Sequence, residues 1–228
     1  MYGAMPRTAR LDTPGLLHHV MIRGIERRKI FTDDVDRKDF IERLSDLLPE
    51  TGTQCYAWSF LSNHADFLFR SGSQGIAALM RRLLTGYAIF FNKRHRRHGQ
   101  VFQNRYKSVI CQEDRYLQEL VRYIHLNPLR ARIVSDLEEL AGYSYCGHSI
   151  LMGNGKSDWQ DIGYVLGCFG SNVRVVRRRY REYVDKIKIV TFLSNSPCLA
   201  FFHDSPKFLL TRQVCSAMQN TICCERIL

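Results

Sequence analysis

Two apolar segments, TQCYAWSFL and HADFLFR, are separated by only two residues, and this pair restricts the fold more than any other feature of the chain. Both segments are rich in aromatic residues, which favour strands, and a two-residue connection is typical of a β-hairpin. Side chains alternate between the two faces of a strand, so His64, Asp66 and Leu68 are predicted to share one face of the second strand. The opposite, apolar face consists of Ala65, Phe67 and Phe69.

The segments around this hairpin alternate between strand and helix patterns. LLHHVMIRG predicts a first strand that ends at Gly24, and apolar residues at helical spacing after Asp33 predict a helix closed by Pro49 and Gly52. Beyond the hairpin, GIAALMRRLLTGYAIFFNKRH predicts a long helix and QVFQNRYKSVIC a short extended segment. EDRYLQELVRYIHLNPLRA predicts a helix that stops at Pro128. The order β-α-β-β-α-(β)-α favours an α+β fold in which helices pack on an antiparallel sheet.

The character of the sequence changes after Gly153. DWQDIGYVLGCFG and SNVRVVRRRYREYVDKIKI predict two further helices, of which the second is strongly basic. In the last segment, SPKFLLTRQVCSAMQNTI is compatible with a short helix, but no pattern joins it to the rest. We therefore predict three parts: a main domain at residues 1–153, a basic helical extension at 154–190, and a tail at 191–228 of undefined structure.

Positive charge is concentrated in the middle of the chain. The whole sequence has 33 Lys and Arg against 22 Asp and Glu, and residues 71–130 alone carry eleven basic residues and three acids. Aromatic residues stand between these cations, a combination that suits a phosphate backbone with exposed bases. A basic surface that serves only solubility is the alternative. The predicted DNA-contacting residues are Arg81, Arg82, Lys93, Arg94, Arg96, Arg97, Arg105 and Lys107.

The cysteine pattern and the apolar content of the chain argue against several classes of protein. The eight cysteines include no C-x-x-C pair, so we expect neither a structural zinc site nor a secreted disulfide framework. The first ten residues, MYGAMPRTAR, lack the apolar core of a signal peptide, and no apolar run approaches membrane-spanning length. We expect a cytoplasmic protein that has no membrane partner.

A second informative segment, VRYIHLNPLRA, places Tyr123 four residues before Asn127. On a helix this spacing puts both side chains on one face. If that face packs against the polar face of the hairpin, a phenol, an imidazole, a carboxylate and an amide oxygen converge. His64, Asp66 and Asn127 would then form an incomplete ligand shell for Mg²⁺ or Mn²⁺, with positions left for phosphate and water. Glu119, one turn before Tyr123, is a candidate for an additional carboxylate near the ion.

A tyrosine beside such an ion has a defined chemistry. The cation polarises a phosphodiester, and basic side chains stabilise the charge that develops on it. Attack of Tyr123 on the phosphorus would form a phosphotyrosyl ester and free one DNA end, which keeps the bond energy for a later rejoining. This chemistry needs no nucleotide cofactor, and the sequence contains no Gly-x-x-x-x-Gly-Lys loop to bind one.

With these segments the chain resembles the REP-associated tyrosine transposases, relatives of the insertion-sequence single-strand transposases in the HUH superfamily. The resemblance is carried by MPRTARLDTPGLLHHVMIRG, NHADFLFR, GQVFQNRYKS and RYIHLNPLRA, extends to about Gly153, and continues weakly to about residue 188. It implies a ferredoxin-like fold with the metal pair on a central strand, Tyr123 as nucleophile and Asn127 as a metal ligand. It also implies a 5′-phosphotyrosine link to single-stranded DNA that folds into imperfect palindromic hairpins. Homodimer and monomer both stay open.

One residue departs from the family pattern, which has His, an apolar residue and a second His on this strand. The second position is Asp66 here. Aspartate ligates Mg²⁺ and Mn²⁺ well, so the site can keep its ion, but the change also adds negative charge where phosphate must approach.

Three functions therefore stay open. The leading one is metal-dependent cleavage and rejoining of single-stranded hairpin DNA through Tyr123. The second is a catalytically inactive DNA-hairpin-binding protein derived from such a transposase. The third is a metal-dependent nuclease that uses water and forms no covalent intermediate.

Overall fold

The structure is a computed structural model of the chain that describes residues 12–111 and 113–185. A four-stranded sheet lies at its centre, with strand order β2-β3-β1-β4 and antiparallel pairing between all neighbours. This antiparallel α+β architecture confirms the predicted fold class. The strands are β1 (Leu17–Arg23), β2 (Gln54–Phe60), β3 (His64–Arg70) and β4 (Lys107–Cys111).

Eight helices are described around this sheet, and the first three follow the predicted order along the chain. A single 3₁₀ turn, Ile25–Arg27, follows β1. None of the described helices is both long and apolar enough to cross a membrane. The helices are α1 (Asp34–Thr51), α2 (Gly75–Arg94), α3 (Glu113–His125), α4 (Asn127–Arg130), α5 (Leu137–Gly142), α6 (Gly147–Met152), α7 (Ile162–Gly167) and α8 (Val173–Asp185).

The ends of α1 show which sequence signals were informative. Asp33 caps its first turn, where the carboxylate accepts two backbone hydrogen bonds. The predicted closure at Pro49 is wrong, because the helix continues to Thr51 with Pro49 in its last turn. Gly52 ends it in the left-handed conformation (φ +64°), which glycine adopts without steric cost.

One face of the sheet packs against α1 and α2. Ala65, Phe67 and Phe69 point into this core, as the alternation predicted, and all three are fully buried. Phe40 of α1 lies 6.1 Å from Phe67 and 4.9 Å from Tyr87 of α2 between ring centroids. Such aromatic pairs contribute about 0.5–1.5 kcal/mol each beyond the burial of area. This core covers one face of the sheet, and His64 and Asp66 lie on the other.

The opposite face of the sheet packs against α3 and the helices that follow it. Leu68 lies in this second core with Leu120 and Ile124 of α3 and with Val176 and Tyr180 of α8. The basic helix α8 is therefore anchored by an apolar stripe with helical spacing. The division into residues 1–153 and 154–190 stays a prediction. The predicted tail, 191–228, lies outside the described residues.

A buried polar cluster joins α3, α6 and α8 within this second core. The Tyr180 hydroxyl lies 2.7 Å from His125 Nδ1 and 3.4 Å from His148 Nδ1. All three side chains are buried. Burial lowers the pKa of both histidines, that of His148 to about 4. Both rings are therefore neutral at pH 7 in the folded protein.

We expect acid to destabilise the fold through His148. In the unfolded chain a histidine titrates near pH 6.5. Between pH 6.5 and about 4 the unfolded state therefore binds a proton that the folded state does not, and the free energy of unfolding falls as the pH falls. The loss by pH 4 is on the order of 3 kcal/mol. Urea denaturation at pH 7 and pH 4.5 measures it, with His148→Asn as the control that should lose less on acidification. Equal losses in the two proteins would contradict this assignment.

Candidate active site

The register of β1 against β3 brings the polar residues of both strands together. Arg23 lies opposite His64, and Met21 lies opposite Asp66. His19, two residues before Met21, points to the same face because side chains alternate along β1. This is the face that α3 covers. The polar residues of HADFLFR and the helix that carries Tyr123 therefore lie against each other in the structure.

The Asp66 carboxylate is the centre of this arrangement. Its side chain is only 6% exposed. Oδ1 accepts a hydrogen bond from His19 Nε2 at 3.1 Å, and Oδ2 accepts one from Asn127 Nδ2 at 3.1 Å. Because an ionised carboxylate only accepts, the His19 proton on this side lies on Nε2. Each such charge-assisted bond contributes about 1.5–3 kcal/mol, and together they link β1, β3 and α4.

His64 presents a lone pair toward the same carboxylate. Its Nδ1 lies 2.7 Å from Asn63 Oδ1, an amide oxygen that accepts, so the ring proton lies on Nδ1. Nε2 then faces Asp66 Oδ2 at 3.8 Å, too far for a hydrogen bond. Burial lowers the pKa of His64, which keeps the ring neutral at pH 7, although the Asp66 charge opposes this effect. A nitrogen lone pair and a carboxylate oxygen thus face each other across a gap of negative potential, which favours a cation.

Tyr123 lies at the end of α3, edge-on to His19, with ring centroids 5.9 Å apart. Its side chain is half-buried. Burial first, and then the Asp66 charge, raise the pKa of Tyr123 to about 12, while Arg130 and Arg23 act in the opposite direction. The phenol is therefore protonated at neutral pH in this structure, and removing the effect of the Asp66 charge would favour its ionisation.

The junction of α3 and α4 keeps Tyr123 and Asn127 one turn apart. Leu126 between the helices retains near-helical angles (φ −83°, ψ −3°), and Pro128 has no amide hydrogen with which to continue α3. Arg130 bridges the junction, because its Nη1 donates to the Tyr123 carbonyl at 3.0 Å and to Asn127 Oδ1 at 3.3 Å. Its guanidinium also lies over the Tyr123 ring, 4.4 Å from the centroid. Tyr123 and Asn127 thus lie one turn apart on two successive helices instead of one, and Arg130 contacts both residues.

The groups around Asp66 Oδ2 are of types that bind a small divalent ion, but their present spacing is not that of a complete ligand set. His64 Nε2 is 3.8 Å and the Asn127 amide nitrogen 3.1 Å from this oxygen. Ligands of six-coordinate Mg²⁺ at about 2.1 Å lie roughly 3.0 Å apart when adjacent and roughly 4.2 Å apart when opposite. The Asn127 amide would have to rotate by half a turn, since its oxygen now faces Arg130. The part of the chain that is described contains no group of three or more His, Cys, Asp or Glu placed to hold a metal, so an ion here would depend on Asn127 and on oxygens of water or phosphate.

Two of the predicted DNA-contacting residues are engaged with carboxylates. Arg94 donates to Asp33 Oδ2 and to Asp36 Oδ1, both at 2.6 Å. Arg82 forms an ion pair with Glu50. The charge of these two arginines is partly neutralised, and Arg94 has a structural role in joining the end of α2 to the start of α1.

The remaining predicted contacts lie on α2, on β4 and in the loop between them. Lys107 of β4 pairs with Met21, which pairs with Asp66, so the three residues form one row across the sheet. With neighbouring strands about 4.8 Å apart, the Lys107 backbone lies roughly 10 Å from that of Asp66. The others are exposed or half-exposed: Arg81, Lys93, Arg96, Arg97 and Arg105.

Sequence reasoning missed three residues of the site: His19, Arg23 and Arg130. His19 shares the parity of Arg23 in LHHVMIR, but only the register of β1 against β3 shows that this parity leads to Asp66. Arg130 lies beyond Pro128, where the helical pattern was expected to end, and its position depends on α4.

Glu119, the candidate for an additional carboxylate, is bound elsewhere. Its Oε1 accepts from the Tyr183 hydroxyl of α8 at 2.6 Å, and its Oε2 pairs with Arg122. Glu119 therefore connects α3 to α8, and both of its oxygens are taken up by this connection.

Comparison with known proteins identifies the family of the chain. A family model described as IS200-like transposase matches residues 13–127, from just before β1 to Asn127. The chain belongs to the IS200-like transposase family. Membership gives it a transposase-like function on DNA, in general that of a DNA-cleaving enzyme. A search of curated proteins finds no match.

One solved structure shows the same fold. The REP-associated tyrosine transposase, solved bound to a REP hairpin, aligns with a TM-score of 0.54 at 13% identity, over 69% of this chain and 94% of its own. A protein of Deinococcus radiodurans that carries a provisional transposase name aligns with a TM-score of 0.36 at 15% identity, over 59% of this chain and 97% of its own. The first likeness confirms the fold that the motifs implied, and the family match confirms the relationship to the single-strand transposases.

We expect His19 and Asp66 to be energetically coupled. Chemical denaturation of His19→Ala, Asp66→Ala and the double variant should give a coupling free energy of about 1–3 kcal/mol, since either single change leaves a buried polar partner without its bond. His18→Ala is the matched control. His18 is also buried, but it faces the other side of β1, where its Nδ1 lies 2.9 Å from Ser108 Oγ. A coupling for His19 no larger than that for His18 would contradict the assigned hydrogen bond.

Proposed function

We propose that the protein is a metal-dependent transposase that cleaves and rejoins single-stranded hairpin DNA through a 5′-phosphotyrosine intermediate at Tyr123. The observation that supports this most directly is that His64 and Asn127 lie 3.8 Å and 3.1 Å from the same buried carboxylate oxygen of Asp66, whose charge also acts on Tyr123. His64, Asn127 and Tyr123 come from three different elements, and each is a residue type that this chemistry uses.

In this proposal His64 Nε2, Asp66 and the Asn127 amide hold Mg²⁺ or Mn²⁺. When bound, the ion supplies Lewis-acid polarisation of the scissile phosphate and offsets the Asp66 charge. The hydrogen bond from His64 Nδ1 to Asn63 keeps the lone pair on Nε2, and His19 orients Asp66.

Tyr123 performs the covalent step. Its oxygen forms a bond to the phosphorus as the bond from phosphorus to the 3′-oxygen breaks, which leaves a 5′-phosphotyrosine and a free 3′-hydroxyl. The net proton transfer is from the phenol to the released 3′-oxygen. Arg130 on the ring and Arg23 across from His64 supply positive charge beside the phenol, where the phosphate would lie. Rejoining is the reverse attack by a 3′-hydroxyl.

Single-stranded DNA with imperfect palindromic hairpins is the proposed partner. A structural neighbour with the same fold is bound to a REP hairpin. The exposed cations between α2 and β4 and the row that leads from Lys107 to Asp66 provide a path for a phosphate backbone. A cytoplasmic place of action and a homodimeric form belong to the same proposal.

A second function, hairpin binding without catalysis, is favoured by the hydrogen bonds of Asp66. Both carboxylate oxygens already have a donor, from His19 and from Asn127, and Asn127 directs its oxygen toward Arg130. A site that is satisfied in this way holds together without an ion. It would then serve as a rigid part of a DNA-binding surface.

Covalent capture of DNA tests the leading proposal. Incubation with a hairpin-bearing single strand and Mn²⁺ should give a denaturant-resistant protein–DNA adduct that Tyr123→Phe abolishes. Tyr164→Phe is the matched control and should keep the adduct, because Tyr164 contacts Arg70 at the far end of β3. Cleavage that persists in Tyr123→Phe would instead indicate hydrolysis by water, and tight binding without cleavage the inactive protein.

Metal binding should depend on His64. We expect Mn²⁺ to raise the melting temperature of the wild type by several degrees and to have little effect on His64→Ala, because binding to the native state alone stabilises it. His95→Ala is the control, since His95 also lies against a carboxylate, with Nε2 2.9 Å from Asp36 Oδ1. An equal Mn²⁺ shift in His64→Ala and the wild type would place the ion elsewhere.

Replacing Asp66 with histidine separates the two functions. If the site is active as it stands, Asp66→His should lower adduct formation at least several-fold, because it removes the acceptor of the His19 and Asn127 bonds. If Asp66 has inactivated an ancestral site, the same change should raise adduct formation from near zero. The yield of covalent adduct at saturating DNA and Mn²⁺ measures the difference.

A further inference from the structure

Helix α8 carries more arginine than its attachment requires. Five of its thirteen residues are arginines. Two of them fasten the helix: Arg177 Nε donates to the Leu151 carbonyl at 3.0 Å, and Arg179 Nη1 donates to the Phe169 carbonyl at 3.0 Å. These bonds satisfy carbonyl groups of the neighbouring segments, so these two arginines have a structural role.

The other three arginines form a stripe on the exposed face of the helix. Arg174, Arg178 and Arg181 are all exposed and stand at i, i+4 and i+7, the spacing of one helical face. Within the described residues, the side chains of Arg174 and Arg181 form no hydrogen bond or ion pair. Arg178 lies 3.9 Å from Glu182, but these side chains are 72% and 57% exposed, and such pairs contribute little. We call these three residues the α8 arginine stripe.

The α8 arginine stripe is rigidly connected to the helix of Tyr123. The Tyr183 hydroxyl donates to Glu119 Oε1 at 2.6 Å, and the guanidinium of Arg122, the neighbour of Tyr123, lies 4.4 Å from the centre of the Tyr183 ring. Arg122 is only 3% exposed and also donates to the Tyr183 carbonyl at 3.4 Å. A strand bound along α8 would therefore be held in a constant position relative to α3.

We infer that the α8 arginine stripe is a second DNA-contacting surface, which binds consecutive phosphates of the strand that flanks the cleaved position. The stripe spans about 10 Å at 1.5 Å per residue, a length similar to the rise of roughly three nucleotides at 3.4 Å each along the axis of B-form DNA, and its three arginines can each contact one phosphate. Arginine forms bidentate hydrogen bonds with phosphate. This surface lies outside residues 13–127, the part that the family model matches. The inference rests on the proposed function only in that DNA is the partner.

The salt dependence of DNA binding tests this inference. Fluorescence anisotropy of a labelled hairpin with a single-stranded flank is measured over a range of KCl concentrations in the Tyr123→Phe protein, so that no cleavage occurs. The triple change Arg174→Gln, Arg178→Gln and Arg181→Gln should reduce the slope of log K against log salt by about 2, at about 0.7 per phosphate contact. If the two proteins bind equally at 1 M salt, the same slope difference of about 2 makes the affinity at 0.15 M salt about 50-fold lower in the triple variant.

Two further triple variants make the test specific. Lys29→Gln, Lys38→Gln and Lys156→Gln remove the same charge from exposed lysines on other elements and should change the slope by less than about 0.5. The triple variant Arg174→Lys, Arg178→Lys and Arg181→Lys keeps the positive charge and should keep most of the salt slope of the wild type. Far-UV circular dichroism and the melting temperature should match the wild type in all three, since none of these side chains packs in the core.

The outcomes separate this inference from the proposed function. Equal salt slopes for the stripe glutamine variant and the lysine control variant would overturn the inference. The inference would also be overturned if the stripe glutamine variant lost binding to phosphatidylserine vesicles but kept the wild-type salt slope for DNA. The adduct assay with the native Tyr123 is separate. If no adduct forms, the proposed chemistry fails. A reduced salt slope of DNA binding in the stripe glutamine variant would still support the second DNA-contacting surface.

Discussion

The buried Asp66 carboxylate is the interaction on which the rest of the site depends. A charged group in this position costs several kcal/mol to remove from water, and that cost is offset only when its oxygens receive hydrogen bonds. The donors come from His19 on β1 and Asn127 on α4, so the carboxylate ties the sheet to the segment that follows the Tyr123 helix. Movement of that segment would remove the Asn127 donor from Oδ2 of this buried charge. The position of the phenol is therefore coupled to the integrity of the sheet.

The negative charge of Asp66 also opposes the proposed attack of Tyr123 on a phosphate. Its charge adds to the effect of burial in raising the pKa of Tyr123, and it meets an approaching phosphate with like charge. Arg130 over the phenol ring counteracts this locally. A divalent ion held by His64 Nε2 and Asp66 would do so more effectively, because it would bind the carboxylate itself. For this reason the arrangement around Asp66 suits both an active enzyme, which needs a metal ion to offset the Asp66 charge, and an inactive protein, which needs no metal ion.

The sequence predicted those features that depend on local periodicity. The two-residue period of a strand is strict, so HADFLFR alone assigned Phe67 to one face and Asp66 to the other. The spacing of Tyr123 and Asn127 predicted helical structure at both residues, which the structure has, although α3 ends at His125 and Asn127 begins α4. The class of fold followed from the order of such segments.

The features that the sequence could not predict depend on contacts between distant segments. His19 reaches Asp66 through a strand register that joins residues 47 positions apart. Arg94 was predicted to contact DNA from its place in a basic run, but it forms ion pairs with Asp33 and Asp36 of a helix far earlier in the chain. Charge density along a sequence does not show which cations have acidic neighbours in space. Only the packing of α2 against α1 does.

The central claim is that Tyr123 is the group that reacts with DNA, and the most direct measurement is mass spectrometry of the digested adduct. After reaction with a hairpin oligonucleotide and Mn²⁺, followed by protease and nuclease digestion, the account predicts a nucleotide joined through its 5′-phosphate to Tyr123 in the peptide that contains VRYIHLNPLR. A nucleotide attached to a different residue, or cleaved DNA with no modified peptide, would contradict it.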